Sequence, residues 1–398
     1  MDRQAFYRDP YPVYAEARRA PGLTFVPELD AWLVSRREDV REVLSSPDVF
    51  SSAGAMRPDH VPGPAALAEL AKGCGGVQAV LTADGDAHRR LRRPLTRALS
   101  PARVAATLPF VRERAEALVA GFAADGRVEW MSAYAEPLPA AVAGRLLGLD
   151  PEDTPGAVRA ARRAEELLFT ELDEEGQVAA AREVVGLQHL LDAYARARRS
   201  DPRDDLVTDM VRDFAPGDGE LTPDQRREIV SNLENALLAG HLTTTALLGV
   251  VVLDLLRDRR QWELLCERPE LVPAAIEEAA RFEAPVQGFR RTVRRPVRVG
   301  GTELGEGDVV FVSYASAGRD AEAESRPDEF DITRPASRHL SFGLGPHGCP
   351  GTHLAKEQVR ITLELLLREL PGLRLADQEV VMAPTLIHRS PEALHLEW

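Results

Sequence analysis

Apolar residues recur at intervals of three and four along most of the chain, and this spacing predicts amphipathic helices. Runs of β-branched and aromatic residues punctuated by glycine predict short strands at 23–35 and 297–314, with a further pair in the last thirty residues. No internal repeat, low-complexity segment or linker divides the pattern, so we expect one mainly α domain with minor β-sheet over residues 1–398. The predicted helices span 37–46, 86–99, 103–123, 135–147, 156–170, 174–199, 223–257, 271–283 and 353–369.

The predicted helix over 223–257 is the longest, about 50 Å at 1.5 Å per residue. Thr222 and Gln225 form a capping box around Pro223, which suits a first helical position. Its centre holds Gly240, which costs about 1 kcal/mol relative to alanine, followed by the threonines 243–245. Either a neighbouring helix packs closely on the glycine while the threonine hydroxyls bond to carbonyls one turn earlier, or the helix lines a functional site.

Composition and charge exclude several classes of protein. A net charge of -14 argues against nucleic acid as a partner, because phosphate binding requires a basic surface. The first twenty residues are charged and interrupted by proline, and we find no segment suited to spanning a membrane, so we expect a soluble cytoplasmic protein without a membrane partner. Three cysteines far apart in sequence fit a reducing compartment.

The segment FGLGPHGCPG, residues 342–351, places Cys349 among four glycines directly before a predicted helix. Backbone N–H groups and the helix dipole stabilise a thiolate there, whereas Cys74 and Cys266 are expected to be small buried residues. A nucleophilic cysteine would need a base such as His347 or His353, and a zinc site would need further ligands, although no second cysteine is near. A single thiolate suits heme iron, because the porphyrin supplies the in-plane ligands.

This segment resembles the cysteine loop of the cytochrome P-450 family, whose pattern is Phe-Gly-x-Gly-x-His-x-Cys-x-Gly. The resemblance implies a heme b cofactor (iron protoporphyrin IX) with Cys349 as the iron ligand. It also implies the family's single-domain fold, in which a long central helix crosses the heme and the β-sheets are small. The matching residues are Phe342, Gly343, Gly345, His347, Cys349 and Gly351.

Two further segments resemble the family's buried Glu-x-x-Arg pair and its later arginine. EEAARFEAP carries Glu278 and Arg281, and DEFDITRP carries Arg334. On a helix, residues three apart lie on one face and can bond directly, and a surface ion pair of this kind is common. The resemblance instead implies a buried carboxylate between two guanidinium groups, with a structural role.

The resemblance also nominates cationic and donor residues for the heme propionates. DGDAHRRLRRPL is similar to the family's His-x-x-x-Arg segment, and FRRTVRRPVRVGG is similar to the strand that supplies another arginine. Neighbouring arginines in the second segment, 290, 294 and 295, are expected to be solvated. The nominated residues are His88, Arg92, Arg291 and His347.

AGHLTTT in the long helix resembles the family's Ala-Gly-x-acid-Thr motif at Ala239, Gly240 and Thr243. The resemblance implies that Gly240 leaves room for oxygen and that Thr243 positions water for proton delivery. The expected acid is Leu242, which neither carries a proton nor binds water. Three explanations stay open: protons pass through Thr243 and ordered water, the substrate supplies a polar group, or the reaction is not a plain hydroxylation.

The expected activity is therefore monooxygenation of a small organic substrate with O2, plausible in secondary-metabolite biosynthesis. No reductase segment follows, so we expect electrons from a ferredoxin and ferredoxin reductase, with arginines 89, 90, 93 and 97 as candidate docking residues. Oxidative coupling or peroxide-driven oxidation is a second hypothesis, and heme binding without turnover is a third. Substrate-lining residues are expected around 55–80, 165–180, 286–289 and 384–388.

Overall fold

A computed structural model describes residues 3–335 and 338–398 of the chain. Helices dominate, and nine of them correspond to the predicted segments with ends that agree within a few residues, so the mainly α fold with minor β-sheet is confirmed. The helices are α1 Arg3–Arg8, α2 Tyr11–Arg19, α3 Arg37–Ser45, α4 Pro64–Leu70, α5 Gly85–Ala98, α6 Pro101–Ala120, α7 Pro137–Leu147, α8 Thr154–Phe169, α9 Glu174–Ser200, α10 Leu206–Phe214, α11 Pro223–Arg257, α12 Arg259–Glu267, α13 Val272–Phe282, α14 Tyr314–Gly318 and α15 Thr352–Glu369.

Six helices were not predicted, namely α1, α2, α4, α10, α12 and α14. None of these is longer than nine residues, which is shorter than the window in which a helical period can be recognised.

The strands are β1 Thr24–Val26, β2 Ala31–Val34, β3 Phe50–Ser51, β4 Arg127–Glu129, β5 Gly288–Val293, β6 Val297–Val299, β7 Thr302–Leu304, β8 Val309–Ser313, β9 Arg374–Leu375 and β10 His395–Glu397.

The chain divides into two compact units. Met1–Ser51, Ala106–Pro139 and Thr243–Trp398 form the first unit, and Ser52–Ala105 and Ala140–Leu242 form the second. The prediction that residues 1–398 form a single domain stays a prediction.

The first unit contains all of the β-structure among the described residues. Its main sheet has the order β1-β2-β8-β5-β3, in which β2 and β8 are parallel and the other neighbours are antiparallel. Val34, Val310 and Val312 of this sheet are fully buried and pack with Leu340, which precedes the cysteine segment. The sheet therefore supports the entrance to that segment.

The second unit is helical, with a core formed by α8, α9, α10 and the first half of α11. Ala161, Leu191, Leu206, Ile229 and Leu233 are fully buried in this core. The helices present these small and branched apolar residues at the predicted three- and four-residue intervals, so close packing follows from the sequence pattern.

The start of α11 confirms the predicted capping box. The Thr222 N–H donates to Gln225 Oε1 at 2.9 Å, and the Gln225 N–H donates to Thr222 Oγ1 at 3.3 Å. The expectation that no segment is long and apolar enough to span a membrane is wrong, because among the described residues α11 meets both conditions. However, 72% of its most apolar stretch is buried inside the structure. Such burial is typical of a core helix.

Candidate active site

The cysteine segment is a tight loop between Leu340 and α15. The Cys349 N–H donates to the Phe342 carbonyl at 2.8 Å, and the Gly348 N–H donates to the Gly345 carbonyl at 3.0 Å. Gly345 has a φ of +70°, and a Cβ there would lie 2.6 Å from the Leu44 carbonyl oxygen. Only glycine fits this position, so the path of the loop toward Cys349 is fixed by both conformation and space.

Cys349 differs from the other cysteines in its exposure. Its side chain is exposed, although free cysteines are usually buried, while Cys74 and Cys266 are partly buried and their burial raises the pKa of both thiols. Within residues 3–335 and 338–398, no group of three or more His, Cys, Asp or Glu side chains could hold a metal ion. An exposed single sulfur before a helix fits an iron whose other in-plane ligands come with its own macrocycle.

Contacts with α13 and α15 hold the loop at Phe342. The Lys356 ammonium lies 4.9 Å from the centroid of the Phe342 ring, and both Lys356 and His339 contact the Glu277 carboxylate, at 2.6 and 2.9 Å. Burial acts to raise the pKa of Glu277, but its bonds with His339 and Lys356 outweigh that effect and lower the pKa to about 2. The loop is thus attached to α13 through an ionised carboxylate.

Arg291 lies on β5 and is buried, with 4% of its surface exposed. Its Nη1 donates to the Arg290 carbonyl at 2.8 Å. No carboxylate in the described part of the chain lies within ion-pair distance of Arg291. A buried guanidinium without an acidic partner is costly unless an anion binds it, so Arg291 fits a site for a heme carboxylate.

The expectation that Arg290 is solvated is wrong, whereas Arg294 and Arg295 are exposed as predicted. Arg290 is buried because β5 is an inner strand of the main sheet, flanked by β8 and β3. The resemblance pointed to a strand here, but the burial of Arg290 could not be predicted, because two consecutive arginines are not typical of a buried β-strand. His347 ends a short 3₁₀ turn, Gly345–His347, and is partly buried.

In the second unit, His88 and Arg92 lie one turn apart on α5. His88 is buried, and its burial, followed by the nearby Arg92 charge, lowers the pKa of the imidazole. Arg92 is partly exposed. The helix therefore presents a neutral histidine and a cation on the same face, as the four-residue spacing predicts.

The middle of α11 is unusually open for a core helix. Ala239 is exposed and Gly240 and Thr243 are partly exposed, while His241 and Leu242 between them are buried. A Cβ built on Gly240 would lie 3.6 Å from the Ala143 Cβ, which is ordinary contact. Close packing by α7 therefore does not require this glycine, which favours the alternative that the small residues leave room for a ligand.

The structure brings Glu278, Arg281 and Arg334 together. Arg281 donates to both Glu278 oxygens at 2.7 and 2.8 Å, and Arg334 Nε lies 3.1 Å from each of them. All three side chains are at least nine-tenths buried. Arg281 also donates to the carbonyls of Gly318 and Pro327, so this cluster joins α13 to the segment between α14 and the cysteine loop.

Sequence reasoning missed a set of contacts that hold residues 73–80 in the second unit. The side chains of Gln188, Ser231 and Asn232 accept bonds from the N–H groups of residues 75, 77 and 80 at 3.1, 3.1 and 2.9 Å. A Cβ on Gly73 or Gly75 would overlap the Gln188 amide, at 2.0 and 2.6 Å. The acceptors lie more than one hundred residues away in sequence, so no local signal could have identified them.

Comparisons with known proteins agree with this description. The sequence model of the family described as Cytochrome P450 matches residues 257–385. Cytochrome P450 107B1 of Saccharopolyspora erythraea is 33% identical over 380 residues, covering 94% of this chain and 90% of that protein. Nocardicin C N-oxygenase of Nocardia uniformis is 34% identical over 378 residues, covering 93% and 90%. The solved Acinetobacter radioresistens CYP116B5 heme domain has a TM-score of 0.91 at 29% identity, covering 99% of this chain and 95% of that one.

The fold and these relationships show that the protein belongs to the class of oxygen-activating heme enzymes. The chain belongs to the cytochrome P450 family. It is accordingly a monooxygenase, an oxidoreductase whose cofactor is a heme iron. Several relatives are named as oxygenases or hydroxylases, each for a different compound.

Proposed function

We propose that this protein is a cytoplasmic monooxygenase that holds heme b through Cys349 and hydroxylates a small organic substrate in secondary-metabolite biosynthesis. Electrons come from a separate ferredoxin and its reductase. The observation that carries the proposal is the exposed Cys349 sulfur in a loop whose path requires glycine at position 345. The relative named for the N-oxygenation of nocardicin C supports an organic molecule as substrate.

His88, Arg92, Arg291 and His347 would hold the heme carboxylates. Arg291 is the best supported, because it is a buried cation with no acidic partner among the described residues. Guanidinium groups suit this role, since their planar fork donates two parallel bonds to one carboxylate. Phe342, Gly343 and Gly351 shape the loop that carries the sulfur, and Glu278, Arg281 and Arg334 stabilise the fold around it.

When bound, the heme iron activates O2, and the thiolate increases its electron density. The helix α11 provides room for oxygen and residues for the delivery of protons. Ala239 and Gly240 leave room beside the helix, and Thr243, which is partly exposed, positions a water through which protons are delivered. Leu242 is 6% exposed and apolar, so it excludes water from its own position and directs the route to Thr243.

The test of the cysteine assignment is a reduced carbon monoxide difference spectrum of the heme-loaded protein. Wild type and Cys266→Ser are expected to show the Soret band of a thiolate–carbonyl complex, and Cys349→Ser is expected to lose it. Cys266→Ser is the matched control, because it removes a partly buried thiol elsewhere in the first unit. Loss of the band in Cys266→Ser alone would disprove Cys349 as the ligand.

Leu242 supports a second candidate, oxidative coupling or peroxide-driven oxidation, because it replaces the acid expected for proton delivery. Turnover with ferredoxin, reductase and NADPH should be compared with turnover on hydrogen peroxide alone. Faster product formation with peroxide would favour the second candidate.

Leu242→Glu tests the proton route, since unchanged coupling of NADPH to product would show that the missing acid does not limit proton delivery. Heme binding without turnover is a third candidate, which the open stretch at Ala239 and Gly240 does not favour.

A further inference from the structure

Glu234 is a partly buried carboxylate on α11, in the second unit. Its neighbours Leu233 and Leu237 are fully buried, so this part of the helix lies in the core. Its Oε2 accepts a hydrogen bond from Gln188 Nε2 at 3.3 Å, and no Lys, Arg or His side chain in the described part of the chain pairs with it. A carboxylate in such surroundings is stabilised by a cation, so Glu234 marks a place for a positively charged group.

The Gln188 amide is held in one orientation on the side of α9. Its Oε1 accepts the Gly75 N–H at 3.1 Å, and its backbone carbonyl accepts the Cys74 thiol with an S···O distance of 3.4 Å. Because the amide oxygen faces the segment 73–80, the amide nitrogen points to Glu234. A carboxylate accepts about four hydrogen bonds, so the single bond from Gln188 leaves most of its acceptor positions for a ligand.

Glu234 is continuous with the open stretch of α11. Leu238 lies one turn after Glu234, and Asn235 and Ala239 lie one turn apart in the neighbouring row of side chains. All four side chains are partly or fully exposed, and the exposed row leads to Gly240. The carboxylate and the room beside Ala239 and Gly240 therefore belong to one side of the helix.

The Glu234 carboxylate opens into an interior space rather than onto the outer surface. Burial raises its pKa to about 7, although its hydrogen bond to α9 opposes this effect, and the side chain is nevertheless partly accessible. The Cys74 thiol is within electrostatic range of Glu234 and of Asp192 on α9. The arginines in this region, Arg226 and Arg196, are both bound to Asp192, at 2.5 and 3.1 Å, so the protein's own cations are already paired.

We infer that Glu234 determines specificity for substrates that carry a protonated amine, whose N–H group donates to the Glu234 carboxylate. This inference rests on the proposed function, in which the oxidised part of the substrate lies beside Ala239 and Gly240. Five residues separate Glu234 from Ala239, which is about 7.5 Å along the helix axis. A substrate that reaches both positions therefore has its nitrogen several bonds away from the carbon that is oxidised.

The experiment is calorimetric titration of the heme-loaded protein at about pH 8, where Glu234 is largely ionised. The probes are N,N-dimethyloctylamine, which is protonated at this pH, and octyl methyl ether, which is uncharged. Three alkyl groups on the nitrogen hinder its coordination to iron. We expect the wild type to bind the amine about tenfold more tightly than the ether, as one charge-assisted hydrogen bond provides, and Glu234→Gln to lose this preference while it still binds the ether.

Asp224→Asn is the matched control, because it removes an exposed carboxylate from the first turn of the same helix. It should change both affinities by less than about twofold, since a distant exposed charge is screened. The preference of the wild type for the amine should also increase from about pH 6 to 8, as Glu234 ionises, and that of Glu234→Gln should stay constant.

A structural role of Glu234 would give a different result. If Glu234→Gln weakens the binding of ether and amine equally, Glu234 only holds Gln188 and the segment 73–80, and the inference is wrong. It is also wrong if the wild type binds the amine no better than the ether or binds neither probe, whereas the carbon monoxide spectrum tests the proposed function separately. Should Glu234→Gln fail to fold, Glu234→Ala replaces it in the same titrations.

Discussion

At the scale of the residue, buried charged side chains differ in whether an oppositely charged side chain lies beside them. The Glu278 carboxylate has two guanidinium partners inside the first unit, whereas the Arg291 guanidinium has no carboxylate partner among the described residues. A buried cluster whose members satisfy one another stabilises the fold, and a buried cation without an acid marks a place for an anion. Arginine therefore has a structural role at position 281 and, in the proposed function, binds a heme carboxylate at position 291.

Removing the shared carboxylate should destabilise the fold strongly. Glu278→Gln leaves Arg281 and Arg334 buried without a counter-charge, and we expect a loss of about 3–5 kcal/mol in the free energy of unfolding. Urea denaturation of the purified protein measures it. Glu263→Gln is the control, because its pair with Arg259 on α12 is exposed and should contribute less than about 1 kcal/mol. Equal losses in the two variants would contradict the structural role of Glu278.

At the scale of the element, the cysteine loop is held by backbone shape at one end and by an ion pair at the other. Gly345 fits against the Leu44 carbonyl, and Glu277 binds Lys356 and His339 on either side of Phe342. The four glycines around Cys349 could be recognised from the sequence. Glu277 was not predicted, because Lys356 and His339 are more than sixty residues away in sequence.

Two glycine-to-alanine substitutions should have opposite effects. Gly345→Ala meets both a positive φ, which costs about 1–2 kcal/mol for a side chain, and the Leu44 carbonyl, so it should lower stability by more than that amount. Gly186→Ala in α9 has open space around its Cβ and should raise stability by about 0.5–1 kcal/mol. Unfolding free energies measure both effects, and a stable Gly345→Ala protein would show that the loop can take another path.

Glu277 should make stability depend on acid pH. Its pKa is lowered from 4.5 to about 2 in the folded protein, so its contribution is fully present above 4.5 and is lost as the pH falls toward 2. Wild type should therefore be more stable than Glu277→Gln at neutral pH, and the difference should shrink below about pH 4. Urea midpoints of both proteins across this range provide the measurement. A difference that stays constant with pH would show that the Glu277 carboxylate is not the group responsible.

At the scale of the whole molecule, the long helix α11 and the cysteine loop could be predicted because their signals are local. A helical period over thirty-five residues and ten consecutive residues of specified type need no knowledge of the rest of the chain. The burial of Arg290 and the contacts around residues 73–80 could not be predicted, since each depends on packing between distant segments. Patterns in sequence reveal elements, while tertiary contacts decide which polar residues become buried.

The structure also reduces the number of arginines on α5 that are candidates for docking an electron donor. Arg89, Arg90 and Arg97 pair with Asp86, Glu228 and Asp209, whereas Arg93 is exposed and has no acidic partner in the described ranges. Paired charges attract an acidic ferredoxin less, because their neighbours cancel part of the field.

If the electron donor is a ferredoxin, as proposed, Arg93→Glu should slow reduction by it about 3- to 10-fold at low salt, with a smaller effect at high salt. Stopped-flow reduction of the heme-loaded protein measures the rate. Arg159→Glu on α8 changes the net charge equally at another exposed arginine and should have little effect. An equal slowing by both variants would assign the effect to net charge rather than to Arg93.

The contacts that hold residues 73–80 have a practical consequence for engineering this enzyme. Libraries that randomise this segment should keep Gly73 and Gly75, because a side chain at either position would displace the Gln188 amide, whose oxygen accepts the Gly75 N–H. Val77 and Gln78 have exposed side chains, and Val77 is held through its backbone N–H. Diversity concentrated at these two positions should yield a larger share of folded variants than uniform randomisation of the segment.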